Sequence, residues 1–445
     1  MHENIKIKKH LSSFQIIIIG FAAVILLGSF ILMMPFSAKN GSFTPFNEAL
    51  FTATSAVCVT GLIVKDTASH WSVFGQSIIL ILIQIGGLGV VTVAASVTLI
   101  SGRKISLSQR TTMQEAIAAP KTGGIVRLTG FIIKTVFVIE FIGAILLMPI
   151  FCKDFGLKGI WMSFFHSISA FCNAGFDIMG TTDAPFVSLT PYADNILINI
   201  VIMLLIVIGG IGFLTWDDVR ENKIHFKRYR MQSKVCLTVT LILIILPATY
   251  FFFFEFNELG ISDRILYSLF QSVTPRTAGF NTADFSLLSG AGQCIIIILM
   301  LIGGSPGSTA GGMKTTTLAV LFANAVAVFR RKEDAHFFGR RIDGNAVNSA
   351  ATLLMMYIML FVSGAFVISI VEGLPLSICM FETASAVGTA GLTLGITSGL
   401  GMVSQIILII LMFLGRVGGL TLIYATLSNK NVNVSRLPQE KIIVG

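Results

Sequence analysis

The apolar positions of this chain run in long unbroken stretches. They follow neither the three-four spacing of a surface helix nor the alternation of a strand. The stretches lie at 14–34, 73–100, 128–151, 195–215, 235–256, 292–329, 347–371 and 402–427. A helix needs ~20 apolar residues to cross ~30 Å of hydrocarbon, so the pattern predicts eight spans, the sixth interrupted. Runs such as 295–302 do not alternate, which excludes a transmembrane β-barrel. Shorter apolar segments at 45–56, 160–171, 262–273 and 375–386 precede spans two, four, six and eight. They are too short to cross and predict re-entrant half-helices. Pro45 and Pro375 suit first helical positions, and Ser262-Asp263 offers a cap. The first run, which follows Lys6, Lys8 and Lys9, is too long for the core of a signal peptide and reads as a span.

A related string follows each half-helix: SAVCVTGL at 55–62, SAFCNAGF at 169–176, TPRTAGF at 274–280 and SAVGTAGL at 385–392. A second signature lies within each following span: GGLG at 86–89, GGIG at 209–212, GGSPG at 303–307 and GRVGG at 415–419. Gly61, Gly175, Gly279 and Gly391 recur at intervals of 114, 104 and 112 residues. Such recurrence sets architecture before any single motif does. The expected fold is an all-α polytopic membrane protein of four pseudo-repeats, each a helix, a re-entrant pore helix, a filter strand and a helix, around one central pore. The repeats fall at 14–100, 128–215, 235–329 and 347–427, between a cytoplasmic N-terminus (1–13) and a cytoplasmic tail (428–445).

Non-helical backbone at membrane depth is tolerated where it lines a watery path, and its freed carbonyls can replace the hydration shell of a cation. Glycine is required where a strand must turn those carbonyls toward the axis. The candidate filter is therefore Val59-Thr60-Gly61, Asn173-Ala174-Gly175, Thr277-Ala278-Gly279 and Thr389-Ala390-Gly391. These four strings resemble those of the KtrB/TrkH/HKT superfamily of potassium transporters, over about 14–427, and most of all the bacterial Ktr subunits of the KtrB or KtrD type. The resemblance implies potassium as the substrate at the filter backbone, sodium as an activator, and no covalently bound cofactor. It also implies a homodimer in a bacterial plasma membrane on a cytosolic KtrA/KtrC-like ring, with nucleotide on that partner. The strings are unequal. In the third, Arg276 stands just before Thr277 and is expected to stack behind the strand and bond carbonyls.

Charge orients the chain. Only 12% of its residues are charged and 54% are hydrophobic, which excludes a soluble enzyme. The net charge of +9 would suggest nucleic acid in a soluble protein. Here 22 Lys/Arg fall in segments 1–13, 101–127, 216–234, 330–346 and 428–445, against 6 in the loops between them. That asymmetry is the positive-inside rule; it places both termini in the cytoplasm, facing anionic lipid. The six cysteines show no C-x-x-C pair and read as small apolar residues, and the six histidines are isolated. Of the outer-side acids, Asp177 is best placed to gather cations.

The interrupted span is the candidate gate: Gly303, Gly304, Ser305, Pro306, Gly307, Gly311, Gly312 and Lys314, with Arg416 at equal depth. A mid-helix proline costs ~3 kcal/mol and each glycine ~1 kcal/mol relative to alanine, so 303–316 should break into a loop below the filter. Arg416 needs a partner inside the membrane, and loop carbonyls are expected in preference to a carboxylate. The match of 303–307 to the hydrolase elbow G-x-S-x-G lacks the strand that motif needs. An alternating-access solute carrier, the main alternative, would need inverted repeats.

Overall fold

The computed structural model describes residues 12–101, 105–119 and 121–419. The expected N-terminal segment 1–13 (apart from its last two residues), the tail 428–445 and the end of the eighth span lie outside them. The described chain is mostly helical. Its helices are α1 Ser13–Met33, α2 Phe46–Cys58, α3 Thr67–His70, α4 Val73–Leu88, α5 Val90–Ile100, α6 Leu107–Ile117, α7 Ile125–Phe155, α8 Lys158–Phe171 and α9 Ile196–Gly210. There follow α10 Phe213–Asn222, α11 Met231–Tyr250, α12 Ile261–Val273, α13 Gly290–Leu301, α14 Thr315–Phe329, α15 Gly344–Glu372, α16 Leu376–Gly388 and α17 Met402–Val417. A short hairpin, β1 His336–Phe337 with β2 Arg340–Arg341, joins α14 to α15.

Local chemistry sets the boundaries. Ser12 and Gln15 form a capping box that starts α1. Pro45 and Pro375 immediately precede the first residues of α2 and α16, one position earlier than expected. Ser262 is not a cap: α12 already begins at Ile261, after Gly260.

The helices pack in a closed order. Each of the short helices α2, α8, α12 and α16 packs on the long helix before it, namely α1, α7, α11 and α15. The next apolar helix then reaches the following short one: α4 touches α8, α9 touches α12, α13 touches α16, and α17 returns to α2.

Among the described residues, α1, α7, α11 with its π-helical turn to Glu255, and α15 are unbroken helices long and apolar enough to cross a membrane. Two pairs are broken, α4–α5 and α9–α10, each bent by 95°. The sequence reading expected only the sixth span to break. The bends lie at Gly89 (φ 84°, ψ 136°) and Gly212 (φ 92°, ψ 140°), and α17 ends at Gly418 in the same conformation (φ 88°, ψ 136°). A side chain disfavours that region, and no helix continues through it. Outward-facing side chains such as Leu27, Leu246, Phe253 and Phe254 are exposed, as on a surface that meets lipid.

Candidate functional site

At or within four residues after the end of each of these short helices stands a residue of positive φ. Val59, Asn173, Thr277 and Thr389 have φ of 56°, 58°, 70° and 52°. Three are β-branched, for which positive φ is a genuine outlier. Two residues on, Gly61, Gly175, Gly279 and Gly391 are again positive, at 93°, 67°, 81° and 79°. The backbone bonds that hold these turns nearly repeat. The amides of Thr60, Ala174 and Ala390 donate to the carbonyls of Ser55, Ser169 and Ser385 at 2.8 Å, and Ala278 donates to Thr274 at 2.9 Å. The residue opening three of the four strings also ties its strand, while the Ser385 hydroxyl has no partner among the described residues: Ser55 Oγ accepts from Gly61 N at 3.1 Å. Ser169 Oγ and Thr274 Oγ1 donate to the carbonyls of Phe176 and Phe280, both at 2.6 Å.

The structure brings the four triplets to one axis. A Cβ on Gly61 would stand 2.6 Å from the carbonyl oxygen of Ala174. On Gly175 it would meet that of Ala278 at 2.7 Å, and on Gly279 that of Ala390 at 2.9 Å. On Gly391 it would meet the carbonyl of Thr60, which closes the ring. All four glycines line a cavity of about 120 Å³ with Asp177 at its rim. Burial pushes the Asp177 carboxyl up to about 7, and the nearby Asp66 adds to the shift. The buried hydroxyls of Thr60, Thr277 and Thr389 have no partner among the described residues. The arrangement thus offers a narrow ring rich in uncommitted oxygens.

The second signature has a packing reason. A Cβ on Gly86, Gly209 or Gly415 would strike the carbonyl of Val57, Phe171 or Val387, each four residues before a ring glycine. Only glycine lets these helices approach the ends of α2, α8 and α16.

The segment between α13 and α14 is a non-helical loop. Gly303 N donates to Met313 O at 2.7 Å and Thr315 N to Gly304 O at 3.0 Å. Ser305 N reaches Gly210 O at 2.9 Å, and Phe213 N reaches Gly307 O at 2.7 Å. Ser305 Oγ pairs with Thr315 Oγ1 at 3.1 Å, and Thr309 Oγ1 donates to Phe171 O at 3.0 Å. Lys314 Nζ donates back to Ala310 O and Gly311 O, at 2.8 and 3.2 Å. Arg416 donates to the carbonyls of Thr309, Gly86 and Gly87. As expected, its partners are carbonyls, but two belong to α4 and only one to the loop. Pro306, Gly307, Gly312, Lys314 and Arg416 line a second cavity of about 440 Å³, while Gly311 packs on Thr389 of the ring.

The whole sequence adds a decisive observation: residues 3–434 match the model of the TrkH family, described as cation transport proteins. The chain belongs to that family. It is 40% identical to the potassium/sodium uptake protein NtpJ of Enterococcus hirae, over 99% of both chains. It is 37% identical to the Ktr system potassium uptake protein B of Bacillus subtilis, over 97% of this chain and 96% of that one. The crystal structure of the potassium transporter TrkH from Vibrio parahaemolyticus shares the fold, with a TM-score of 0.75 and 17% identity over 96% of this chain and 87% of that one. This TrkH-family chain is a multi-pass membrane protein.

Two features escaped the sequence reading. Among the described residues Arg276 bonds no carbonyl: its Nη2 donates to Thr240 Oγ1 of α11 at 3.2 Å. Glu140 is a buried acid in the middle of α7. It is the one charged residue between Lys134 and Lys153, in a stretch that is otherwise mostly apolar.

Proposed function

We propose that this TrkH-family chain takes up potassium across the bacterial plasma membrane, through a pore whose filter is the ring of Val59, Thr60, Gly61, Asn173, Ala174, Gly175, Thr277, Ala278, Gly279, Thr389, Ala390 and Gly391. The observation that carries the reading is the cyclic approach of each ring glycine to a carbonyl of the next triplet. Carbonyls crowded on one axis by positive-φ glycines substitute for a hydration shell. The relatives named for potassium and potassium/sodium uptake support potassium as the cargo and sodium as a second cation that the system handles. The membrane potential supplies ~2.3 kcal/mol per charge per 100 mV. The four units serve as pseudo-repeats of an eight-span pore, with both termini cytoplasmic.

The loop 303–316 acts as the gate, held by Arg416. Its small residues allow two arrangements at little steric cost. The relatives named as parts of a Ktr system support a partner subunit, and the resemblance of the filter strings extends the proposal to a homodimer on a cytosolic nucleotide-binding ring. Uptake of labelled rubidium into liposomes by the purified chain tests the function. Transport that potassium competes away supports the reading, and a chain that carries no cation refutes it.

A further inference from the structure

Two buried ionisable side chains stand beside the ring with no ion pair among the described residues. Glu140 is 3% exposed, midway along α7. Its carboxylate accepts from Gln84 Nε2 at 3.0 and 3.2 Å and from the Cys172 thiol at 3.8 Å. Its own carbonyl accepts from Ser167 Oγ at 2.6 Å, which fixes α7 to α8. Cys172 immediately precedes Asn173, and a Cβ on Gly87 would meet its Sγ at 2.6 Å. The thiol is therefore wedged between α4 and Glu140, at the foot of the second triplet.

Arg276 is the counterpart. It adjoins Thr277 in the third string and is 7% exposed. Its Nη2 has Thr240 as partner, and its Nε has none among the described residues. Neither side chain forms an ion pair within 4.0 Å among those residues.

An ionisable group inside a membrane is expensive and as a rule finds a counter-ion. A cation on the axis beside these two triplets would favour the ionised carboxyl of Glu140 and be opposed by Arg276. Buried charges are little screened by salt, so both fields reach the ring. Conduction needs a cation held firmly enough to enter and loosely enough to leave. Resting on the filter reading above, we propose that Glu140 and Arg276 are specificity-determining residues that set cation occupancy with opposite sign: Glu140 deepens the well at the second triplet, and Arg276 makes it shallower at the third. The two together keep the ion bound but mobile.

Rubidium uptake into liposomes tests this, with purified wild type, Glu140→Gln, Arg276→Gln and the double variant titrated with rubidium. Glutamine at 140 keeps the shape and still accepts from Gln84. Glu140→Gln should raise the half-saturating concentration about tenfold, the order expected for one charge acting across a few side chains at an effective dielectric of about 20. Arg276→Gln should lower it, and the double variant should return toward wild type. A merely structural role would change maximal flux without opposite-signed shifts in affinity. Shifts of the same sign, or no shift in either variant, would overturn the proposal. The potassium concentration that half-saturates the gain in melting temperature in detergent gives the same reading for a variant that does not reconstitute. Gly175→Ser is run alongside: if it keeps wild-type discrimination against sodium, the filter reading fails, separately from this inference.

Discussion

Val59, Thr277 and Thr389 hold a backbone conformation that β-branched residues avoid, and each such residue costs of order 1–3 kcal/mol. The surrounding bonds from Ser55, Ser169, Thr274 and Ser385 hold that strain in place. At the glycines the strain meets a steric limit, because a Cβ would strike a carbonyl of the next triplet. Gly→Ser at Gly61, Gly175, Gly279 or Gly391 should therefore weaken potassium binding and reduce the preference over sodium. Competition of potassium and sodium against rubidium uptake measures it, and four serine variants with wild-type preference would remove the filter. Asp177 carries a pH prediction. Because burial raises its carboxyl to about 7, it is charged above that pH and neutral below. Uptake at subsaturating potassium should fall as the external pH drops from 8 to 6, and Asp177→Asn should be low and flat across that range. By linkage, the raised value means that this group's contribution to stability is present at acid pH and lost as pH rises through 7. Asp177→Asn should thus melt no lower than wild type at pH 8.

At the scale of elements, the loop 303–316 ties α13, α14 and the end of α9 to one another through backbone bonds, and Arg416 joins it to α4. Deleting 304–311, or changing Arg416 to alanine, should increase flux with filter selectivity nearly unchanged. A folded deletion variant that conducts less than wild type would make the loop a support of the pore and not its gate. The bends make a separate claim. Gly89→Ala and Gly212→Ala place a Cβ in a conformation it avoids and should each lower stability by about 1–3 kcal/mol. The melting temperature in detergent shows whether they do. The short helices and their strings were legible in the sequence because length and recurrence are one-dimensional. The bends were not, since GGLG and GGIG sit in runs apolar enough to read as straight. The first glycine of each motif meets a carbonyl of another helix, as Gly86 meets that of Val57, which only the fold brings together. The positive φ of Val59, Thr277 and Thr389 escaped for a similar reason: β-branched residues disfavour it, and of the four only Asn173 is of a type that tolerates it.

The whole molecule joins an apolar flank to a sequence with 22 basic residues in the segments expected to face the cytoplasm against 6 in the loops between them. The positively charged face is the natural docking side for the proposed cytosolic ring. Co-expression with neighbouring cytosolic genes, followed by affinity purification, should recover a nucleotide-binding partner. Full regulation of the purified chain alone would argue against one. The account stands or falls on the axis where the four triplets meet. Its most direct test is cation flux by the purified chain in liposomes under an imposed potential, with potassium, rubidium and sodium offered in turn. The account predicts potassium and rubidium currents that compete with each other, exceed that of sodium, and lose this preference in the ring-glycine variants. A flux that ignores those glycines, or that treats sodium and potassium alike in wild type, would contradict it.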